Sequence, residues 1–306
     1  MSATLTSSQR TQIAIITVVA IAVYLGFRWL PTGTNLSHMD FRVSGGNSIE
    51  FCDPSNPQFI PVVAVRSPVI MAVESKQSAL AGSLVDVSVR LKTSSGKPMS
   101  AEDLLVAHTR KLHLLIVDPS LHDYQHVHPE PTGGPGEWSF SFTPKAGGLY
   151  RVFADFTPVA TGRGLYAHAD LSVQGPVVPA EEAAFSYPWL EYRDTGYLFV
   201  LQAASDAAFR SGVPVDLIFQ TIREDGGPVA LEPVMDAFAH LVAFDLERGG
   251  FAHLHPAETD LTRPPDTQRP QLTFKITIPR PGRYVIWAQV SLEGRERFVP
   301  FWITVV

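Results

Sequence analysis

His113, Asp118, His126, His128 and Pro129 spell H-x4-D-x7-H-x-H-P, and His240, Asp245, His253, His255 and Pro256 spell it again with the same spacing. Imidazole is the commonest protein metal ligand. No thiolate or thioether recurs with the histidines, so the chemistry they suit is Cu2+ or Zn2+ binding, not a dedicated Cu(I) or blue-copper centre. The metal-ligating candidates are therefore His113, His126 and His128 in the first copy and His240, His253 and His255 in the second. His38, His108, His122 and His168 have no counterpart in the other copy.

The spacing sets the elements that must hold these rings. His126 and His128 are two residues apart, so on a strand they share a face. A hairpin turning at Pro119-Ser120-Leu121-His122, with Asp118 opposite Asp123, puts His113 opposite His128 and diagonal to His126. Directly opposed Cβ atoms lie about 4.5–5.5 Å apart and diagonal ones about 7–8 Å or less. In the second copy, Asp245 opposite Gly250 sets His240 opposite His255, with His253 diagonal. A slip of one residue would turn the rings to the other face. Asp118 and Asp245 either orient an imidazole N–H or cap the turn, and the turn preference of aspartate favours the cap. Pro129 and Pro256 end the strand after each histidine pair.

The repeat extends beyond the histidines. The motif offset is 127 residues. Gly96-Lys97-Pro98 precedes the first motif as Gly226-Gly227-Pro228 precedes the second. Gly148-Leu149-Tyr150-Arg151-Val152-Phe153-Ala154 follows the first as Gly282-Arg283-Tyr284-Val285-Ile286-Trp287-Ala288 follows the second. So long a period indicates a duplicated domain. Short β-prone runs such as 84–91, 112–117, 124–128, 138–142, 149–156 and 169–173 recur in the second half at 213–219, 239–244, 251–255, 272–278, 283–290 and 298–305. With plentiful proline and glycine between them, this predicts an all-β chain of two tandem immunoglobulin-like β-sandwich domains. Strand-like alternation begins near Val62, and residues 101–105 could form one helical turn. Trp138, Trp287 and Trp302 suit sandwich cores. His168 and Asp170, on a late strand, are expected at the surface.

Residues 11–27 carry no charge, and twenty helical residues span about 30 Å, the thickness of a hydrocarbon core. No small-x-small cleavage site follows, so the segment reads as an uncleaved signal anchor and transmembrane helix, with the short N-terminal tail cytoplasmic. The expected layout is an anchor at 1–31, a tether at 32–65, one sandwich at 66–178 and another at 179–306. The net charge of −6 and the absence of a basic cluster exclude nucleic acid as a partner. One cysteine, Cys52, leaves no intrachain disulfide and favours a bacterial envelope. Cys52 with His38 and Met39 could make a soft site on the tether, although a small buried apolar role suits Cys52 better.

Lys111-Leu112-His113-Leu114-Leu115-Ile116-Val117-Asp118 with His126-Val127-His128-Pro129, and Ala239-His240-Leu241-Val242-Ala243-Phe244-Asp245-Leu246 with Phe251-Ala252-His253-Leu254-His255-Pro256, resemble a group of bacterial envelope proteins. These carry an H-L-x-x-V-x-x-D-L-x-x-F-x-H-x-H-P pattern, and some are joined to heavy-metal-binding domains. The aspartate of that pattern falls two residues later, where this chain has Ser120 and Glu247, and Tyr124 stands where the pattern has phenylalanine. The resemblance implies an association with metal handling.

The resulting expectation is a single-pass protein of the bacterial cell membrane, with its soluble domains in the periplasm or outside the cell. It binds copper or zinc for buffering, delivery or resistance. Its partners are the lipid bilayer and, in one reading, another membrane protein. An alternative is a structural or partner-docking module whose histidines only stabilise a hairpin. No separate substrate-binding or acid–base constellation accompanies the histidines, so no enzyme is expected.

Overall fold

A computed structural model of the chain describes residues 6–29, 36–41, 58–179, 190–204 and 209–306. Cys52 and the Gly45-Gly46-Asn47 segment lie outside the described residues. The chain divides into an N-terminal unit ending at Asn35 and a second unit from Leu36 to Val306. In the first, α1 runs Ser7–Trp29 and is long and apolar enough to cross a membrane.

The second unit holds two antiparallel sandwiches. In the first, β1 (Val69–Ser75), β2 (Val85–Thr93), β6 (Glu137–Phe142) and β5 (Glu130–Pro131) form one sheet in the order β1-β2-β6-β5. β4 (Tyr124–Val127), β3 (Leu112–Val117), β7 (Gly148–Phe156) and β8 (Leu165–Val173) form the other, in the order β4-β3-β7-β8. These orders match an immunoglobulin-type pair of sheets, with β4 added at the edge of the second. The second sandwich repeats the plan. β14 (Gln271–Ile276), β11 (Val215–Arg223), β10 (Tyr197–Ala203) and β9 (Glu191–Asp194) make one sheet. β13 (Phe251–Leu254), β12 (His240–Asp245), β15 (Gly282–Leu292) and β16 (Arg295–Val305) make the other. The two copies differ at both edges of this sheet: β5 lies beyond β6 in the first, whereas β9 lies beyond β10, the counterpart of β1, in the second.

Alternation explains the outer sheets. β2 buries Val85, Val87, Val89 and Leu91 and turns Asp86, Ser88 and Arg90 to its other face, packing one face on the core. The inner strands do not alternate. Every residue of β3 is buried, as are His240 to Phe244 of β12. One face, Leu112, Leu114 and Ile116, enters the core of the first sandwich, and Leu241 and Ala243 enter that of the second. The other face packs against the neighbouring sandwich in a third core of Leu115, Val117, Tyr124, Phe153, Val242, Phe244, Phe251, Val285 and others.

Several expectations shift here. Residues 62–65 form a turn beside Ile60, and the first strand starts at Val69, after Pro68. Part of the segment read as a tether is packed: Leu36 and Phe41 join the first core, Phe59 the second, and Ile60 and Val62 the core between them. Ile60 N–H donates to Phe251 O at 2.7 Å, and Phe251 N–H returns a bond to Ile60 O. Trp138 lies in the first core as expected, but Trp287 and Trp302 lie between the sandwiches. The helical turn near residue 101 is Ala101–Asp103.

Candidate metal centre

The hairpin register is the one the spacing predicts. Leu114 pairs Val127 and Leu115 pairs His126, so one step further sets His113 opposite His128. Leu241 pairs Leu254 and Val242 pairs His253, which sets His240 opposite His255. Asp118 and Asp245 cap their turns. Asp118 accepts from the Ser120, His122 and Asp123 amides, and Asp245 from those of Gly249 and Gly250. Neither reaches an imidazole.

Within each triad one nitrogen per ring can be chosen so that all three lie within 4.8 Å of one another. The two triads could each hold a metal ion. They are deeply placed: His240 is 0% exposed, His113 3%, His253 7% and His126 8%, while His128 and His255 are half-buried. Burial lowers the affinity of all six rings for protons. It holds His128 near a pKa of about 3 and His255 near about 2, with His126, His240 and His253 well below the ordinary value and His113 lowered. Neutral imidazoles are the form that ligates a cation.

Hydrogen bonding then fixes which nitrogen carries the proton. His113 Nε2 lies 2.9 Å from the Ala107 carbonyl oxygen, which can only accept, so Nε2 donates and Nδ1 keeps its lone pair. Gln289 Nε2 donates to Glu296 Oε2 at 2.8 Å, which turns Gln289 Oε1 toward His126. His126 Nδ1–H donates to that oxygen at 2.9 Å, leaving a lone pair on Nε2. His113 Nδ1 and His126 Nε2 therefore face each other at 3.3 Å with no proton between them. In the second triad His253 Nδ1–H donates to Asp155 Oδ2 at 3.2 Å, freeing Nε2. His128 Nε2, His253 Nε2, His255 Nε2 and both nitrogens of His240 are buried without a hydrogen-bond partner. A buried polar atom left unpaired costs about 1–3 kcal/mol. Opposed lone pairs and unpaired nitrogens are what a cation would satisfy, so the donor set fits a metal.

Two of the orienting groups come from across the interface. Gln289 pairs with His240 in the β12–β15 ladder yet holds His126 of the first triad. Asp155 pairs with His113 in the β3–β7 ladder yet holds His253 of the second. These contacts are equivalent, because Asp155 and Gln289 occupy matching positions in the Gly148 and Gly282 strands. Aromatic contacts are reciprocal too: Tyr124–Trp287 at 5.8 Å mirrors Phe251–Phe153 at 5.3 Å, and Tyr124–Phe298 at 5.6 Å mirrors Phe251–Tyr166 at 5.5 Å. The sandwiches thus face each other across a local two-fold, and both triads lie on the facing surfaces.

Of the unrepeated histidines, His108 joins the cluster, its ring stacked on that of His255 at 3.9 Å between centroids and 24° between planes. The repeat comparison passes over His108, Asp155 and Gln289 because the other copy has a different residue at each place. His122 stays outside, its Nδ1 3.0 Å from Ser120 O and its ring 5.8 Å from Trp302. His168 is half-buried opposite Phe153, and Asp170 forms a two-pronged pair with Arg151 at 2.8 and 3.1 Å. His38 and Met39 are exposed.

No curated protein matches the chain. Solved structures with some likeness include native E. coli alpha-2-macroglobulin, at 12% identity over 83% of this chain and 17% of that chain, with a TM-score of 0.23. The fibronectin(III)-like modules of Clostridium thermocellum CbhA align at 10% identity over 77% of this chain and 94% of that chain, with a TM-score of 0.20. The profile of the domain of unknown function DUF8832 matches residues 70–175 and again 194–306, one match on each sandwich, and the chain belongs to that family.

Proposed function

We propose that this is a membrane-anchored, extracytoplasmic protein that binds Cu2+ or Zn2+ through its two histidine triads and serves metal buffering, delivery or resistance. The observation that carries the reading is the pair of lone pairs, His113 Nδ1 and His126 Nε2, held face to face by fixed hydrogen bonds on their outer nitrogens. Such an arrangement is repulsive when empty and favourable around a cation. An all-imidazole donor set suits borderline divalent ions, with Cu2+ highest in the affinity order. Three protein ligands per ion leave a coordination position open, which suits exchange and transfer better than permanent structural storage. The apolar helix α1 supports attachment to a bilayer.

The test is elemental analysis of the full chain purified in detergent without an affinity tag, followed by titration with Cu2+ and Zn2+. Metal bound by the native chain and reduced in a His126→Ala/His128→Ala variant is the expected result. No metal above that control sinks the reading and leaves the histidines as hairpin architecture. Growth of a deletion strain under copper or zinc load then separates resistance from buffering at ordinary supply.

A further inference from the structure

We infer that the two triads, with His108, form one binuclear metal centre spanning the sandwich interface, and not two independent mononuclear sites. The inference rests on the metal-binding reading above and concerns how the ions relate to each other.

Distance is the first argument. The His126 and His253 rings, one from each triad, have centroids 5.4 Å apart. That equals the His113–His126 separation within the first triad, 5.4 Å, and nearly equals His240–His253 within the second, 5.5 Å. His113–His253 at 6.2 Å and His126–His240 at 6.5 Å complete a continuous cluster. No layer of apolar side chains separates the triads where these rings meet.

His108 is the second argument. It lies on an exposed turn closed by reciprocal Ala107–Arg110 backbone hydrogen bonds. The turn holds His108 at φ 48° and Thr109 at φ 70°, a left-handed pair without glycine. Met235 at φ 48° and Asp236 at φ 61° repeat this backbone in the second sandwich, so the fold sets the turn and the first copy alone places an imidazole on it. The turn belongs to the first sandwich, yet its imidazole stacks on His255 of the second. Its centroid is 6.3 Å from that of His113 and 6.4 Å from those of both His240 and His253. One exposed ring therefore sits over the junction of the two triads, placed to act as an exchangeable ligand.

Cross-orientation is the third. Asp155 is laddered to His113 but orients His253, and Gln289 is laddered to His240 but orients His126. An ion that fixes one triad also fixes the strand carrying the group that orients the other. The ligand class is a pair of like divalent ions, each with three imidazoles and an open position. A small bridging anion such as hydroxide, formed from water with its proton released to solvent, would offset the repulsion between the ions.

The experiment is electron paramagnetic resonance of the full chain in detergent, loaded with Cu2+, with bound copper counted on the same sample. Two bound ions with spin intensity well below the copper count, and a half-field transition, is the expected result. Replacing His126 and His128 by alanine should leave one ion with full intensity. His108→Ala should keep two ions and alter the coupled spectrum. Two bound ions with full intensity and no half-field line would overturn the inference while leaving metal binding intact. So would saturation at one ion. Absence of bound copper in the native chain would instead overturn the metal-binding reading itself, and this inference with it.

Discussion

His126 and His253 each use their two ring nitrogens for different work: the outer one donates across the interface and the inner one faces its triad. Partners of this kind set ring orientation and basicity, and losing one typically costs about 10–100-fold in metal affinity. Gln289→Leu is therefore expected to weaken the triad of the opposite sandwich, His113/His126/His128, by about that factor. Asp155→Asn should weaken the His240/His253/His255 triad in the same way. Isothermal titration with Zn2+ checks both, and an effect confined to the mutated sandwich's own triad would contradict the cross-orientation. The same burial governs acid stability. The unfolded histidines take up protons near their ordinary pKa of about 6.5, whereas folded His128 and His255 resist until about 3 and about 2. Below about 6.5 the unfolded state binds more protons, so stability is present above that pH and falls progressively as pH drops toward 3. The metal-free protein should show a falling melting temperature through this window, measured by circular dichroism. A flat profile would mean the rings titrate freely. Six of the clustered histidines were legible in the sequence because they repeat. His108, Asp155 and Gln289 were not, because their counterparts in the other copy are Met235, Gln289 and Asp155, and a repeat filter discards positions that differ.

Strands β3 and β12 show how much an element reveals and where it misleads. The hairpin register followed from two-residue periodicity and the turn residues, and it holds in both copies. The run Leu112-His113-Leu114-Leu115-Ile116-Val117 also carried a second message, since an apolar stretch without alternation belongs to a strand buried on both faces. That pattern marks the surface against which the other sandwich packs. β9 and β10 lie outside the predicted strands: β9 is a short edge strand, and Tyr197-Leu198-Phe199-Val200-Leu201 of β10 is an apolar run whose sequence does not alternate although its burial does. Phe153 is fully buried between the sandwiches, against Phe244 at 6.0 Å and Phe251 at 5.3 Å. Phe153→Ala should destabilise the metal-free protein by about 3–5 kcal/mol in urea unfolding. Gly250 lies under the Ile60 backbone, and a Cβ there would collide with Ile60 O and Pro61. Gly250→Ala should push Phe59–Val62 off β13, read as faster hydrogen exchange at the Ile60 amide with the β3–β7 amides still protected.

For the whole molecule, the site and the interface are one object. Groups from both sandwiches must be in place for either triad to be fully oriented, so ion binding is linked to docking. At free Zn2+ of 100 times Kd, a single binding event raises unfolding stability by about 2.7 kcal/mol. The expected result is a metal-dependent rise in melting temperature that shrinks in Gln289→Leu at the same free metal concentration. An equal rise in both proteins would detach metal binding from the interface.

The reciprocal pairs, His126 with Gln289 and His253 with Asp155, Tyr124 with Trp287 and Phe251 with Phe153, have the form of an isologous contact, in which one patch meets its own copy. A single half carrying this patch would be complete only as a homodimer, and joining two halves in one chain makes that partnership permanent. Fusion also releases the halves from identity. Asp155 can become what Gln289 is not, and His108 can stand where its twin is Met235, without either change appearing twice. The covalent link is thus what permits an asymmetric centre within a symmetric frame.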